Sequence, residues 1–329
     1  MKTKLLSMIL FITFFALIKA GTADAKSFGE GKVISVQPVK ANLELSGIIK
    51  TPTGYYFVSD DGKDHYLYEG TSGPDGIEVK KVLDLESSAS GKKYKETFKN
   101  HKELKEKNRR WDLEGIAQCG SVFYLANERV REVFKLAGNK IIPLKINFRA
   151  AFSRFDEGGA NAGFEGIAVD CKNQIMYVAK EREPRQIFVI NLKNLKISKI
   201  FDFHGSNRQG QLVIDPFTAN GLLAIGPDIA DMHFYNGFLY VLERNTYEVT
   251  KIDPNTFNVV GRMSYYFASR PLYEKIEPFG LAEALAISDD RIYIGLDNNL
   301  TELSGYAKKQ YGISGTTGVL ITIERPKGF

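Results

Sequence analysis

Two cysteines and four histidines are all that this 329-residue chain contains. Two Cys cannot build a disulfide-rich scaffold, and no Cys or His pair falls at the spacing of zinc ligands, which excludes a zinc centre. The chain also lacks a Gly-x-Ser-x-Gly elbow, a phosphate-cradling Gly loop and a His-Glu-x-x-His helix, so no ready-made nucleophile or metalloprotease site is present. The four His (His65, His101, His204, His233) sit in loops or at strand ends without a partnered Ser or Cys. His204 is placed to act as a general base, but a solvated loop histidine is the plainer reading. Beyond residue 25 no run is apolar enough to cross a bilayer.

What is present begins with a leader. Lys2 and Lys4 precede an apolar stretch from Leu5 to Ile18, and Ala23-Asp24-Ala25 gives a small-x-small cleavage pattern. Residues 1–25 therefore read as a signal peptide, and 26–329 as one exported domain, periplasmic or extracellular, with no membrane anchor after cleavage and expected to be a monomer. Net charge is +5, but residues 92–110 alone carry seven Lys and two Arg against three Glu. Such a patch is a solvated face rather than a nucleic-acid surface, because the rest of the mature chain is slightly acidic. An oxidising compartment would permit a bridge between Cys119 and Cys171, whereas their one-residue offset in adjacent repeats weighs against it.

Five segments repeat one pattern, an apolar run, a tight turn, and a second run closing on an acid. Aligned on their ends, the second runs place Asp61, Glu128, Glu181, Glu243 and Asp297 in one register. Upstream of each lies a marker: Leu45-Ser46-Gly47-Ile48, Leu113-Glu114-Gly115-Ile116, Phe164-Glu165-Gly166-Ile167, Ile229-Ala230-Asp231-Met232 and Ala282-Glu283-Ala284-Leu285. Further alternating runs follow each acid, so each copy predicts a four-stranded antiparallel meander. A meander cannot bury both faces alone, and the repeats imply an all-β, five-bladed β-propeller. The fifth copy is short of one strand, and the unpaired run from Lys32 to Val39 would complete it, closing the ring through both termini. Deleting residues 26–40 should then cost the whole fold. A sixth blade is the alternative, built around Gln211–Ile214 and Leu222–Ile225.

If each marker opens an innermost strand and each acid closes its neighbour, all lie on one rim. Glu114, Glu165 and Glu283 then line the channel mouth, with the other acids one strand further out. The long connections emerge on the same rim, which is how sites on rigid scaffolds are built. Converging carboxylates need compensation. Arg129, Arg182 and Arg244 supply one kind, and a hard cation with oxygen ligands, calcium above all, supplies another. The candidate metal ligands are Glu114, Glu128, Glu165, Glu181, Glu283 and Asp297. Tyr265, Tyr266, Phe267, Tyr273 and Phe279 add an aromatic loop that either stacks on a ligand or, more plainly, packs over the mouth.

The run Ala162-Gly163-Phe164-Glu165-Gly166-Ile167-Ala168-Val169-Asp170, with Tyr177 to Pro184 after it, resembles the signature of the SdiA-regulated family of exported bacterial β-propellers. Asp112 to Ala117 with Asn127-Glu128-Arg129, and Ala282 to Ala286, are similar to its other repeats. The resemblance implies a five-bladed propeller with a calcium site, related to NHL-repeat propellers and to the esterase-like phytases, and supports Glu114, Glu165, Glu181 and Glu283 as site residues. Copy four departs from it, with Ala230-Asp231 in place of Glu-Gly, which would leave the site open on that side. The expected function is recognition of a small-molecule or protein ligand at a calcium-bearing, loop-rich face without turnover. The alternative is a calcium-dependent phosphoesterase or esterase.

Overall fold

The computed structural model describes residues 25–40, 43–59, 65–85, 111–156, 162–182, 184–205, 212–214, 222–224, 228–274 and 281–329. Residues 1–24 of the expected leader 1–25, Asp61, the basic run 92–110, His101 and Phe279 lie outside them. Two strands, β1 (Lys26–Glu30) and β2 (Val33–Pro38), come first. Blade 1 is β3 (Gly47–Lys50), β4 (Tyr55–Val58), β5 (Tyr66–Gly73) and β6 (Gly76–Asp84). Blade 2 is β7 (Leu113–Cys119), β8 (Val122–Asn127), β9 (Glu132–Ala137) and β10 (Lys140–Pro143). Blade 3 is β11 (Phe164–Asp170), β12 (Ile175–Lys180), β13 (Gln186–Asn191) and β14 (Lys196–Asp202). The segment considered for a sixth blade forms only a hairpin, β15 (Leu212–Ile214) with β16 (Leu222–Ala224). Blade 4 follows with β17 (Ile229–Tyr235), β18 (Phe238–Glu243), β19 (Glu248–Ile252) and β20 (Val259–Ser264). Blade 5 joins β21 (Ala282–Ile287), β22 (Arg291–Leu296) and β23 (Val319–Glu324) to β2, in the sheet order β2-β23-β22-β21.

The architecture is thus a five-bladed propeller closed through both ends of the chain. Strand β2 runs antiparallel to β23, from Val33 opposite Ile323 to Pro38 opposite Val319. The sequence did not foretell β1, which adds in parallel to the outer edge of blade 4, Lys26 beside Gly261 and Glu30 beside Ser264. Its anchor is Phe28, whose ring meets Phe329 edge-on at 5.1 Å above Gly261.

Strand alternation explains the cores. Ile48 packs with blade 5 and Ile49 with blade 2, and Ile167 faces blade 2 while Ala168 faces blade 4, so a hydrophobic cluster fills every seam between neighbouring blades. Inner strands nearly touch along the axis. A Cβ on Gly115 would lie 2.3 Å from the Glu165 carbonyl, and one on Gly166 would lie 2.8 Å from the Met232 amide, which is why the marker carries glycine.

One seam is also covalent. Cys119 and Cys171 form a disulfide with Cα atoms 5.6 Å apart, correcting the expectation drawn from their offset. Cys119 pairs with Val122 across a two-residue turn, whereas the β11–β12 turn is wider, Asp170 pairing with Ile175, and the extra span carries Cys171 across to blade 2. Closing a loop with a sequence separation of 52 contributes about 4 kcal/mol by restricting the unfolded chain. Among the described residues no helix is long and apolar enough to cross a membrane.

Candidate functional site at the acidic channel mouth

The marker glutamates reach the channel because each inner strand is bulged where they stand. The β7 register slips between Leu113 and Gly115, β11 between Phe164 and Ile167, and β21 between Ala282 and Ala284. Each slip inserts one residue, which re-aims a side chain that plain alternation would send into a seam. Glu114, Glu165 and Glu283 occupy these bulges and are buried. Carboxylate oxygens of Glu128, Glu165 and Glu181 lie within 4.8 Å of one another, as do those of Asp112, Glu114 and Glu128. Four of the six expected ligands, Glu114, Glu128, Glu165 and Glu181, are therefore gathered across the seam of blades 2 and 3.

Burial and crowding raise their pKa values. Glu165 is pushed well above the usual carboxylate range by burial, then by Glu181, Glu114, Glu128 and Glu283. Glu128 moves the same way through burial, Glu181 and Asp112, opposed by Arg129 and by the Gly163 amide at 3.4 Å. Glu181 rises to about 7, burial outweighing Arg244 and Arg182. Among the described residues Glu165 makes no hydrogen bond or ion pair, and Oε2 of both Glu181 and Glu283 is buried without a partner.

Arginine meets the remaining charge, though not as the repeat alignment implied. In blade 4 Ile229 pairs with Glu243, just as Leu113 pairs with Asn127 and Phe164 with Lys180, so Glu243 sits one position short of the acid register. Glu243 instead turns into its own blade, accepting from Thr250 Oγ1 and from Arg262 Nη1 at 3.4 Å. The register position belongs to Arg244, whose amide bonds the Asp228 carbonyl at 3.2 Å as the Glu128 amide bonds that of Asp112 at 2.9 Å. Buried Arg244 donates from Nη1 to Glu283 and from Nη2 to Glu181, linking blades 3 and 5 across blade 4. Arg182 pairs with Glu181 at 2.8 Å and Asp228 at 3.5 Å, and Arg129 with Asp112.

Glu283 is therefore held by Arg244 and, with Asp297, lies outside both carboxylate triads. Asp297 is raised to about 7 by burial, opposed by the Asn299 amide at 2.9 Å. Sequence reasoning missed Asp112 and Asp228. Their signal was an acid directly before the marker in copies two and four. It also misjudged copy four, which is not open: the Asp231 carboxylate accepts from the Met232 and Leu285 amides, both at 2.7 Å, and from that of Ile167, stitching blades 3, 4 and 5 together.

Of the described histidines, His204 is exposed just beyond β14. His65 packs near Trp111, and burial pushes the His233 imidazole down to about 4. Of the aromatic loop, Tyr265 and Tyr273 are buried in the seam of blades 4 and 5, with the Tyr265 hydroxyl donating to the Glu243 carbonyl at 3.1 Å, so these two pack rather than stack on a ligand.

All ligand atoms gathered here are hard oxygens, and Oε2 of Glu181 is buried without a partner. That set suits calcium, which takes carboxylate and carbonyl oxygens. Residues 43–252 match the family model described as phytase-like, esterase-like activity of phytase. A search of curated proteins finds no match. Among solved structures the chain is similar to the glutaminyl cyclase of Myxococcus xanthus, at 11% identity and a TM-score of 0.50, covering 90% of this chain and 97% of that one. It is also similar to a PQQ-bound aldose sugar dehydrogenase from Streptomyces coelicolor, at 8% identity and a TM-score of 0.45, covering 89% and 98%. These likenesses concern the fold alone.

Proposed function

The chain belongs to the phytase-like family, and from that premise we propose that it is an exported, calcium-dependent hydrolase of phosphoester or ester bonds. The observation that carries the reading is the triad of Glu128, Glu165 and Glu181, whose buried oxygens approach within 4.8 Å, with Oε2 of Glu181 left unpartnered. These three would hold the cation, with Glu114 and Asp112 beside them. Bound calcium would polarise a phosphoryl or carbonyl oxygen and so favour attack by water. Arg244 keeps Glu181 and Glu283 in place, and Asp297, titrating near 7, is the group suited to accept a proton at neutral pH. Within this family we place the chain with the SdiA-regulated propellers, a monomer released by cleavage after Ala25. The Cys119–Cys171 bridge supports an oxidising compartment.

A second reading, recognition of a ligand without turnover, is favoured by the arginine network, in which Arg244 already occupies Glu181 and Glu283. Metal analysis before and after chelation, with release of nitrophenol from its phosphate and acetate esters, separates the two. Hydrolysis predicts chelator-sensitive release that Glu165→Gln abolishes. A cation bound without release leaves recognition standing, and no cation at all overturns both.

A further inference from the structure

We propose that the cap over blades 4 and 5 binds an apolar or aromatic arm of the substrate, so that the mouth accepts esters joining a charged or polar head to an apolar group; this rests on the hydrolase reading above. The cap is made of two connections that leave their blades on the mouth side. Residues 265–274 follow β20, whose last residue Ser264 lies opposite Glu248, itself opposite Glu243, and residues 297–318 follow β22 at Leu296, opposite Ala282. The two pieces are tied together. The Ser304 amide and hydroxyl donate to the carbonyls of Leu272 and Pro271, both at 2.7 Å, and the Tyr273 hydroxyl donates to Asn298 Oδ1. Leu272, Tyr273, Leu303 and Ala307 form the buried underside.

The outer face of the cap gathers exposed apolar side chains. Among the described residues seven large hydrophobic side chains are exposed. Ile34, Val82, Ile142 and Val260 lie one apiece on the outer strands of blades 5, 1, 2 and 4, the scattered exposure that any folded surface shows. Tyr266, Leu300 and Tyr306 all belong to the cap. Leu300 is the most exposed of the seven at 78%, and its φ of 60°, after 44° at Asn299, holds a leucine in the left-handed region. That region disfavours a bulky residue, yet the turn is fixed by the Asn299 amide on Asp297 at 2.9 Å and by the Thr301 amide on the Asn298 carbonyl at 2.6 Å. A strained turn that points an apolar side chain into water gains nothing within the fold, and strain of this kind is kept where a ligand is met.

Position selects the occupant. Leu300 follows Asp297 by three residues, so their Cα atoms are at most about 11 Å apart. Tyr266 follows Tyr265, whose hydroxyl lies 3.4 Å from the Arg244 carbonyl, and its ring rests edge-on against Tyr247 at 5.1 Å, in the turn that Arg244 opens. Both exposed groups thus adjoin residues of the mouth itself. At blade 3 the mouth presents charge instead, with Arg182 38% exposed and paired to Glu181 at 2.8 Å. A lipid surface is the poorer match, because Arg270, Lys308 and Lys309 on the cap are balanced by Glu274, Asp297 and Glu302 and offer anionic headgroups no net attraction.

The test is calorimetric titration of the calcium-loaded protein with methylphosphonate and octylphosphonate, which share a charged head and have no ester bond to cleave. A buried methylene adds about fourfold in affinity, so an octyl chain lying on the cap should bind at least about tenfold tighter than methyl. In the triple variant Tyr266→Ser, Leu300→Asn, Tyr306→Ser that ratio should fall below about threefold. Equal affinities in the native protein, no binding of either although calcium binds, or a preference that the variant keeps overturns the proposal. So does a patch that serves another surface, seen as co-sedimentation with phosphatidylglycerol vesicles, or elution as a dimer, that the variant loses. If no calcium binds, the hydrolase reading fails, and hexyl against methyl β-glucoside, neutral and independent of a cation, decides the cap by the same comparison. Should the triple variant not fold, Leu300→Asn alone carries the test, since asparagine suits a left-handed backbone.

Discussion

Arg244 decides how much of the acidic mouth is a structural network. It is buried, and its two terminal nitrogens serve carboxylates from two blades. Removing one partner from a buried ionic network leaves the others desolvated and unpaired, a loss of about 3–5 kcal/mol. Arg244→Gln should lower the urea midpoint correspondingly; a loss under about 1 kcal/mol would mean that Glu181 and Glu283 are solvated rather than buried. The same burial sets a pH dependence for the cation-free protein. Glu181 and Asp297 rise to about 7 in the fold, so between their ordinary values and 7 the folded state keeps protons that the unfolded chain has released. Stability then falls as pH rises through this window. His233, held down to about 4, acts oppositely, but only until the unfolded imidazole has lost its proton near 6.5. Glu128 and Glu165, also raised, act in the same direction. Chelated protein should therefore melt progressively lower as pH rises from about 6.5 through 7, and calcium should flatten the slope; a melting temperature that rises over this range contradicts the assignment.

The strands themselves were legible because half-buried sheets announce themselves by alternation, and five acid-ended runs mark second strands whichever blade they occupy. What alternation hides is the bulge. Strand β11 is buried at every position from Phe164 to Asp170, so an extra residue leaves no trace in its polarity. Yet that extra residue is what turns Glu165 to the channel. The frame of copy four failed for a related reason. A shift of one residue exchanges the faces of a strand, and aligning on Glu243 rather than on the aromatic position shared by Tyr56, Tyr124, Tyr177, Tyr240 and Tyr293 moved the acid into a place that belongs to Arg244. Strand β1 gave no signal, since it is mostly exposed and only Phe28 secures it. The acidic mouth was legible as a rim; which acids meet was not, because the choice depends on Arg244, Asp112 and Asp228, residues that follow or precede the repeated motifs.

At the scale of the ring, the two termini do different work. Strand β2 supplies the outer strand of blade 5, and Val36 enters the core between blades 4 and 5. Strand β1 covers the β20 edge and meets Phe329, whose side chain is itself buried against Tyr240. Starting the chain at Lys32 should thus leave a closed propeller that melts somewhat lower, with the β20 edge uncovered. Starting it at Asn42 should remove β2 as well and leave β23 as a bare edge, which unpaired backbone groups turn into a template for association. Size-exclusion chromatography and thermal melts of the two truncations should show a folded monomer for the first and aggregated or unfolded chain for the second. Adding a peptide of residues 32–40 to the second should recover soluble protein, because a missing edge strand can be supplied by an extended peptide pairing with the exposed sheet. If the chain starting at Asn42 remains monomeric with an unchanged melt, the ring does not depend on joining its ends, and the stability of the mouth must come from the seams alone.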